Sequence, residues 1–136
     1  MRVIFDTNVL ISAFLTTTGP SQHVFALALR RHAVILSPYI LEEFLSKLVH
    51  KLRFPEAQVK EAVRLLKERT HVLDVPEPHQ RAIKFSDKKD IPLLALAEIS
   101  KAHYFITGDK KLLALKHHGA TLFLTPRAAM AVLEND

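Results

Sequence analysis

Short apolar runs alternate with longer segments of helical periodicity along this chain. Arg2 to Phe5 is rich in β-branched and aromatic side chains with no polar alternation, the pattern of a strand buried on both faces. Polar Asp6-Thr7-Asn8 makes a turn, and Val9 to Leu15 then suits a short helix. Thr16 to Pro20 reads as a loop, and Ser21 can cap a helix running to about Arg31. Ala33 to Leu36 is a second buried strand. Ser37-Pro38 marks a helix start, a hydroxyl cap followed by proline at the first helical position. That helix carries Ile40, Leu41, Phe44, Leu45 and Leu48 at helical spacing. Phe54-Pro55 breaks the pattern, and Glu56 to Arg69 forms the next amphipathic helix.

His71 to Val75 suits a third strand at a sheet edge, because Pro76-Glu77-Pro78 cannot continue it and marks a connection. The pattern then predicts a helix from about Asp90 to Lys101, a strand from Tyr104 to Thr107 and a short helix after Asp109. His117-His118-Gly119 reads as a polar turn, Thr121 to Leu124 as a last strand, and Thr125-Pro126 as the start of a closing helix. No internal repeat, linker or low-complexity tract divides residues 1–136, so one α/β domain is expected. Alternating strands and helices imply a central parallel sheet of about four to five strands, flanked by helices on both faces. Ligands of such sheets bind beyond the carboxyl ends of the strands. Chemistry is therefore sought just after Phe5, Leu36 and Thr107.

Composition narrows that chemistry. With 136 residues, 49% hydrophobic and 24% charged, the chain has an ordinary globular balance. No apolar run approaches the ~18 residues needed to cross a bilayer, and Asp6 interrupts the first apolar stretch as no secretory leader would tolerate. A cytoplasmic protein with no membrane partner is expected. The absence of cysteine removes disulfides, thiolate nucleophiles and thiolate metal sites together. Any metal must then rely on oxygen or imidazole ligands. A net charge of +5 favours a polyanionic partner, although many basic proteins bind no nucleic acid.

Acids stand at the expected turns. Asp6 ends the first strand, Asp109 follows the strand ending at Thr107, Glu43 lies on the helix leaving the second strand, and Asp90 opens a later helix. Asp6, Asp90 and Asp109 would each also serve as an N-cap, where a carboxylate accepts backbone N–H bonds and meets the helix dipole. Glu42 and Glu43 fall about equally far from the buried stripe of their helix, and spacing does not choose between them. Glu43 would also suit a pairing with Lys47 one turn on.

In combination these residues resemble a known family. Val3-Ile4-Phe5-Asp6-Thr7-Asn8-Val9-Leu10 is similar to the opening motif of PIN domains. Ser37-Pro38-Tyr39-Ile40-Leu41-Glu42-Glu43-Phe44 resembles their second motif, with the acid six residues after the serine, which places the role on Glu43. Asp90-Ile91-Pro92-Leu93-Leu94-Ala95-Leu96-Ala97 is similar to the third, and Thr107-Gly108-Asp109-Lys110-Lys111-Leu112-Leu113 to the fourth. The ordered set runs from about Val3 to Pro126. Within the family, the chain is most similar to the branch of VapC toxins from toxin–antitoxin pairs. That resemblance implies a ribonuclease using Mg²⁺ or Mn²⁺, one or two ions, with a homodimeric state and a cognate antitoxin protein. The chain departs from the branch before Asp90: a run of aspartates is replaced by Ser86-Asp87-Lys88-Lys89-Asp90. Asp87 is a further candidate acid, but the two lysines thin the local negative charge.

Phosphodiester hydrolysis needs a hydroxide nucleophile at neutral pH and a sink for charge on phosphate, and hard divalent ions on carboxylates supply both. Four carboxylates within ~5 Å would repel by about 3 kcal/mol per pair at an effective dielectric of about 20, so they persist only with a cation, shared protons or open solvation. Asp6, Asp90 and Asp109 are the candidate direct metal ligands, and Glu43 is assigned to act through a coordinated water. Thr7, Asn8 and Thr107 are candidates to orient them, each with the alternative of bonding its own turn backbone. RNA would be held by cations: Lys88, Lys89, Lys110 and Lys111 flank the acids, and Lys60, Arg64 and Lys67 share a helix face that would otherwise be plain solvated surface. No histidine is assigned to metal.

Two rival phosphate enzymes lack their signature here. A haloacid-dehalogenase-type phosphotransferase needs a second acid where this chain has Asn8, and a receiver domain needs paired acids at its first turn. The remaining alternative is a PIN fold that binds RNA or an antitoxin without useful catalysis. Acids at all four positions weigh against it.

Overall fold

Six strands form one sheet in the order β3-β2-β1-β4-β6-β5, in a computed structural model that describes all 136 residues. They are β1 (Arg2–Phe5), β2 (Ala33–Leu36), β3 (His71–Val72), β4 (Tyr104–Ile106), β5 (His117–His118) and β6 (Thr121–Leu124). All neighbours are parallel except β5 and β6. The central strand β1 pairs Ile4 with Ile35 on one side and with Phe105 on the other. Its Val3, Ile4 and Phe5 are fully buried, which is why the segment shows no polar alternation.

Eight α-helices flank the sheet: α1 (Thr7–Leu15), α2 (Pro20–Arg31), α3 (Pro38–Ser46), α4 (Glu56–Arg69), α5 (Glu77–Arg81), α6 (Ile91–Ser100), α7 (Lys110–Leu115) and α8 (Pro126–Asn135). A chain of aromatic contacts ties the first three helices to β1. Phe5 meets Phe25 of α2 edge-on at 5.2 Å, Phe25 meets Phe14 of α1 at 6.0 Å, and Phe14 meets Phe44 of α3 at 5.4 Å. Phe105 and Phe123 join β4 to β6 at 5.3 Å. The parallel pairing of β1 with β2 and β4 sets the carboxyl ends of those strands side by side, and Asp6, Glu43 and Asp109 follow those ends. No helix is long and apolar enough to cross a membrane.

The sheet has one strand more than the pattern suggests. The extra strand is β5, from His117-His118, which had read as turn only. A two-residue hairpin loop needs positive φ, which Gly119 supplies at +57°, so the two histidines pair with Leu122 and Thr121. Several boundaries also move. β3 ends at Val72, although Leu73 N–H still donates to the Leu36 carbonyl at 2.9 Å. Glu77–Arg81 is a short helix rather than a plain connection, because a proline in the first turn lacks only a donor that would be unused. α2 starts at Pro20 after Gly19 instead of being capped by Ser21. The helix expected from Asp90 is entered through a 3₁₀ turn over Lys88–Asp90, capped by Asp87.

One ionic contact closes the edge of the fold. Glu98 of α6 accepts a hydrogen bond from His79 of α5 at 3.0 Å and another from His118 of β5. The His118 bond is the chief reason the Glu98 carboxyl lies below the usual range, with His79 adding to it against a partial desolvation. An acid whose folded pKa is depressed contributes stability above its unfolded pKa and loses it as pH falls through the folded value. Glu98→Gln is therefore expected to be less stable than the parent at pH 6. The gap should stay below about 1 kcal/mol, because the side chain is partly exposed. It should close by pH 3, where urea unfolding of the two proteins would coincide. A gap independent of pH would mean that the charge contributes nothing.

Candidate active site

Each acid is delivered by the element that the chain builds around it. Asp6 leaves the end of β1, and its Oδ1 accepts from the Thr7 N–H at 2.8 Å. Its Oδ2 accepts from the Thr107 hydroxyl at 2.7 Å. The same Thr107 oxygen accepts the Asp109 N–H at 3.0 Å. Thr107 is wholly buried. One hydroxyl thus links the ends of β1 and β4 and sets two aspartates beside each other. Asp109 Oδ1 also caps α7, accepting from Lys111 N–H at 2.8 Å and Leu112 N–H at 3.3 Å. For Asp6 and Asp109, capping and a place in the site coexist.

Asp90 behaves differently. It makes no side-chain cap, and only 4% of the residue is exposed. Its Oδ2 is buried without a hydrogen-bond partner. An orphaned carboxylate oxygen is costly, and Asp90 lines a cavity of about 350 Å³ together with Asp6, Glu43 and Asp109. Glu42 is turned to another depression, beside Asp74 and Gln80. Of the two glutamates that spacing left open, Glu43 lines the cavity with the other acids and Glu42 does not.

The electrostatics of the cavity follow. Burial pushes Asp90 up to about 6, with Asp109, Asp87 and Asp6 adding repulsion. Asp6 is raised by burial, reinforced by Glu43 and Asp109, although its bonds to Thr107 and Thr7 pull the other way. Tyr39, whose hydroxyl donates to the Lys89 carbonyl at 2.8 Å, is also raised. Its partial burial leads, followed by the charges of Glu43, Asp90, Asp6 and Asp87. Three separate groups therefore sense the same concentration of negative charge.

The other candidates fall in several places. Thr7 is buried and its hydroxyl has no partner. Asn8 lines the cavity, and its Oδ1 accepts from Lys47 Nζ at 2.8 Å. Asp87 is not in the cavity lining. Its carboxylate accepts from Lys111 Nζ at 3.1 Å and from the Lys89 N–H. The Lys111 bond above all keeps it below the usual carboxylate range. Lys88, Lys110 and Lys111 are exposed, and Lys89 is an exposed part of the lining. Lys60, Arg64 and Lys67 line a separate groove with Leu45, Val49 and Val63. There Lys60 pairs with Glu56 at 3.2 Å, and Arg64 is held by Glu61 and Glu68.

Sequence reasoning missed Tyr39 and Lys47 as parts of the site, and with them Leu93 and Gly108. A signal for the first two was present: Tyr39, Glu43 and Lys47 recur every four residues and so share one helix face. The pairing of Glu43 with Lys47 that this spacing suggested does not form, since Lys47 reaches Asn8 instead.

A family model described as the PIN domain matches residues 2–111, a span that contains all four acids. The chain belongs to the PIN domain family. Among solved structures, this PIN domain has the fold of VapBC2 from Rickettsia felis, determined with a DNA fragment from the promoter. The identity is 12%, the match covers 92% of this chain and 98% of that one, and the TM-score is 0.66. It is likewise similar to VapC20 of Mycobacterium tuberculosis, a Sarcin-Ricin loop cleaving toxin, at 12% identity over 83% of this chain and 94% of that one, with a TM-score of 0.62. At that identity the likeness establishes the fold. No curated protein sequence matches the chain.

The strain in this PIN domain is measurable without substrate. A carboxyl whose folded pKa is raised burdens the fold above that pKa, and the burden is relieved as pH falls toward the unfolded value. In the presence of a chelator, Asp90→Asn is expected to exceed the parent in stability at pH 8 by about 1–3 kcal/mol, the scale of removing the charge of a carboxyl pushed from 3.8 up to about 6. The difference should shrink below pH 6 and vanish near pH 4. Urea unfolding across that range is the measurement, and a less stable Asp90→Asn at pH 8 would contradict the assigned strain.

Proposed function

We propose that this PIN domain is a Mg²⁺- or Mn²⁺-dependent endoribonuclease, the toxin of a toxin–antitoxin pair. The observation that carries the reading is the gathering of Asp6, Glu43, Asp90 and Asp109 around one cavity at the carboxyl ends of β1 and β4. No group of three or more histidine, aspartate or glutamate side chains is already disposed to hold a metal ion. The donor set nevertheless fits one. It consists of hard oxygens, Asp90 Oδ2 has no partner within the protein, and the raised Asp6 and Asp90 carboxyls mark a site short of positive charge. Asp6, Asp90 and Asp109 would hold the ion directly and Glu43 through a water molecule. One ion accounts for these donors, and a second lacks the support of Asp87, which Lys111 engages. Such an ion, when bound, lowers the pKa of a water for attack and stabilises charge on the phosphate.

The protein's own groups do the positioning. Thr107 donates to Asp6 Oδ2 and accepts from the Asp109 backbone N–H, which orients the Asp6 carboxylate and anchors Asp109 beside it. The half-buried tyrosine and Leu93 narrow the cavity and limit bulk water. Lys88, Lys89, Lys110 and Lys111 flank the acids in sequence, with Lys89 in the lining, and would offset the repulsion that the acids exert on an RNA backbone. Leu45 and Val49, exposed large apolar residues, border the groove between α3 and α4, and this surface supports a protein partner such as an antitoxin. The same surface is the observation that favours the second reading, a binding module without useful catalysis.

The two readings part in a cleavage assay on mixed-sequence RNA with Mn²⁺ and with chelator. The parent should cleave only with metal, and Asp6→Asn should not cleave. Glu43→Gln should lose about 10- to 100-fold, the usual loss for a water-mediated or supporting ligand, while Glu42→Gln stays near the parent. Equal loss from both glutamates would overturn the placement of the site. Binding without cleavage under every condition would favour the module.

The α4 cations enter as a separate, outlying part of the RNA path. If Lys60, Arg64 and Lys67 all contact phosphate, changing the three to Ala should lower the salt slope of single-strand RNA binding by roughly 2. An unchanged slope leaves Lys60 and Arg64 to their own Glu56, Glu61 and Glu68 partners and Lys67 to solvent.

A further inference from the structure

The acid cavity of this PIN domain contains a cation that no acid neutralises. Lys47 lies one helical turn beyond Glu43 on the same face, at the point where α3 widens into a π turn over Lys47–Lys51. Both side chains line the cavity with Asp6, Asp90 and Asp109. The Lys47 ammonium nevertheless forms no ion pair with Glu43 or with any other carboxylate. Its partner is the amide oxygen of Asn8, 2.8 Å away and 39 residues distant in sequence. Every other lysine near the acids is either shared or outside the lining. Lys89 approaches Asp87 at 3.8 Å, and Lys111 binds the same carboxylate at 3.1 Å.

The choice of partner has a chemical meaning. An amide oxygen orients an ammonium without cancelling its charge, whereas a carboxylate would do both. Of the three ammonium donors, Asn8 takes one and leaves two. An RNA strand entering this cavity brings a phosphodiester monoanion toward four carboxylates, and it needs a fixed positive donor to approach at all. We propose that Lys47, held by Asn8, binds a non-bridging oxygen of the phosphate to be cleaved and so positions it over the acids. Asn8 is then a positioning residue that acts through Lys47. The inference rests on the nuclease reading given above, and it deepens that reading by naming the group that receives the substrate.

The test compares Lys47→Met, which keeps length and removes charge, with Lys47→Arg, which keeps charge. Two readouts are taken. In the first, a fluorescein-labelled single-stranded RNA of mixed sequence is titrated in EDTA at several salt concentrations. Lys47→Met should lower the salt slope by roughly 0.7, the share of one phosphate contact, and Lys47→Arg should restore it. In the second, Mn²⁺-dependent cleavage by Lys47→Met should fall about 10- to 100-fold in kcat/KM, the scale of a hydrogen bond to a charged group, with Lys47→Arg close to the parent. Melting temperatures of all three proteins should agree. A parental slope in Lys47→Met overturns the proposal, as does a lost slope that arginine does not rescue or that accompanies a fallen melting temperature. If the parent binds RNA but never cleaves it, the nuclease reading fails, while the slope still decides whether Lys47 meets phosphate. If the parent shows no RNA binding, both fail.

Discussion

A single buried hydroxyl holds the candidate site together. Thr107 donates to Asp6 and accepts from the backbone of Asp109, so the carboxyl end of β1 and the turn after β4 are joined through one oxygen atom. The sheet places those two ends side by side, because β1 and β4 are parallel neighbours with Phe5 opposite Ile106. Without the hydroxyl, each aspartate would keep only the backbone N–H bonds of the helix it caps, and nothing would tie the two together. With it, both Asp6 oxygens are engaged by the protein, and Asp109 is anchored through its backbone N–H. Everything else in the cavity is arranged around that pair.

Crowding like charges is unfavourable, and the fold meets the cost in different ways at each acid. Asp6 and Asp109 accept backbone N–H groups at the starts of α1 and α7, so their charges are partly stabilised by the helices they cap. Asp87 is held by Lys111 outside the cavity lining, although its charge still adds to the repulsion on Asp90. Asp90 receives no such help. Its oxygen is buried and unpartnered, and its carboxyl is pushed up to about 6. Unfavourable local structure of this kind collects at functional sites because the surrounding fold over-determines it. The acid with the least internal support is thus the one with the most to gain from a cation.

Positive charge is distributed by the same logic. Lys60 and Arg64 of α4 are occupied by glutamates of their own helix, and Lys89 and Lys111 attend to Asp87. Lys47 alone among the cavity's cations is held by a neutral group. The π turn that begins at Lys47 and the aromatic contacts of Phe44 with α1 set the end of α3 against the start of α1, where Asn8 sits. Packing in the core therefore decides which partner a surface lysine finds at the site.

Much of this was legible along the chain. β1 and β2 lie where uninterrupted apolar runs stand, because strands buried on both faces cannot alternate. The starts of α3 and α8 follow from Ser37-Pro38 and Thr125-Pro126, whose hydroxyls cap as their chemistry requires. Asp6, Glu43, Asp90 and Asp109 were recognisable as a set because their motifs occur in order. Other features had no local signature. The strand β5 forms because β6 is there to pair with it, and Leu45 and Val49 stay exposed despite their apolar spacing because nothing packs over them. The partner of Asp87, the orphaned oxygen of Asp90 and the reach of Lys47 to Asn8 each depend on residues tens of positions away. A chain's periodicity and caps are local interactions and can be read locally. Which charges meet, and which are left without a partner, is decided only when the sheet brings distant turns to one edge.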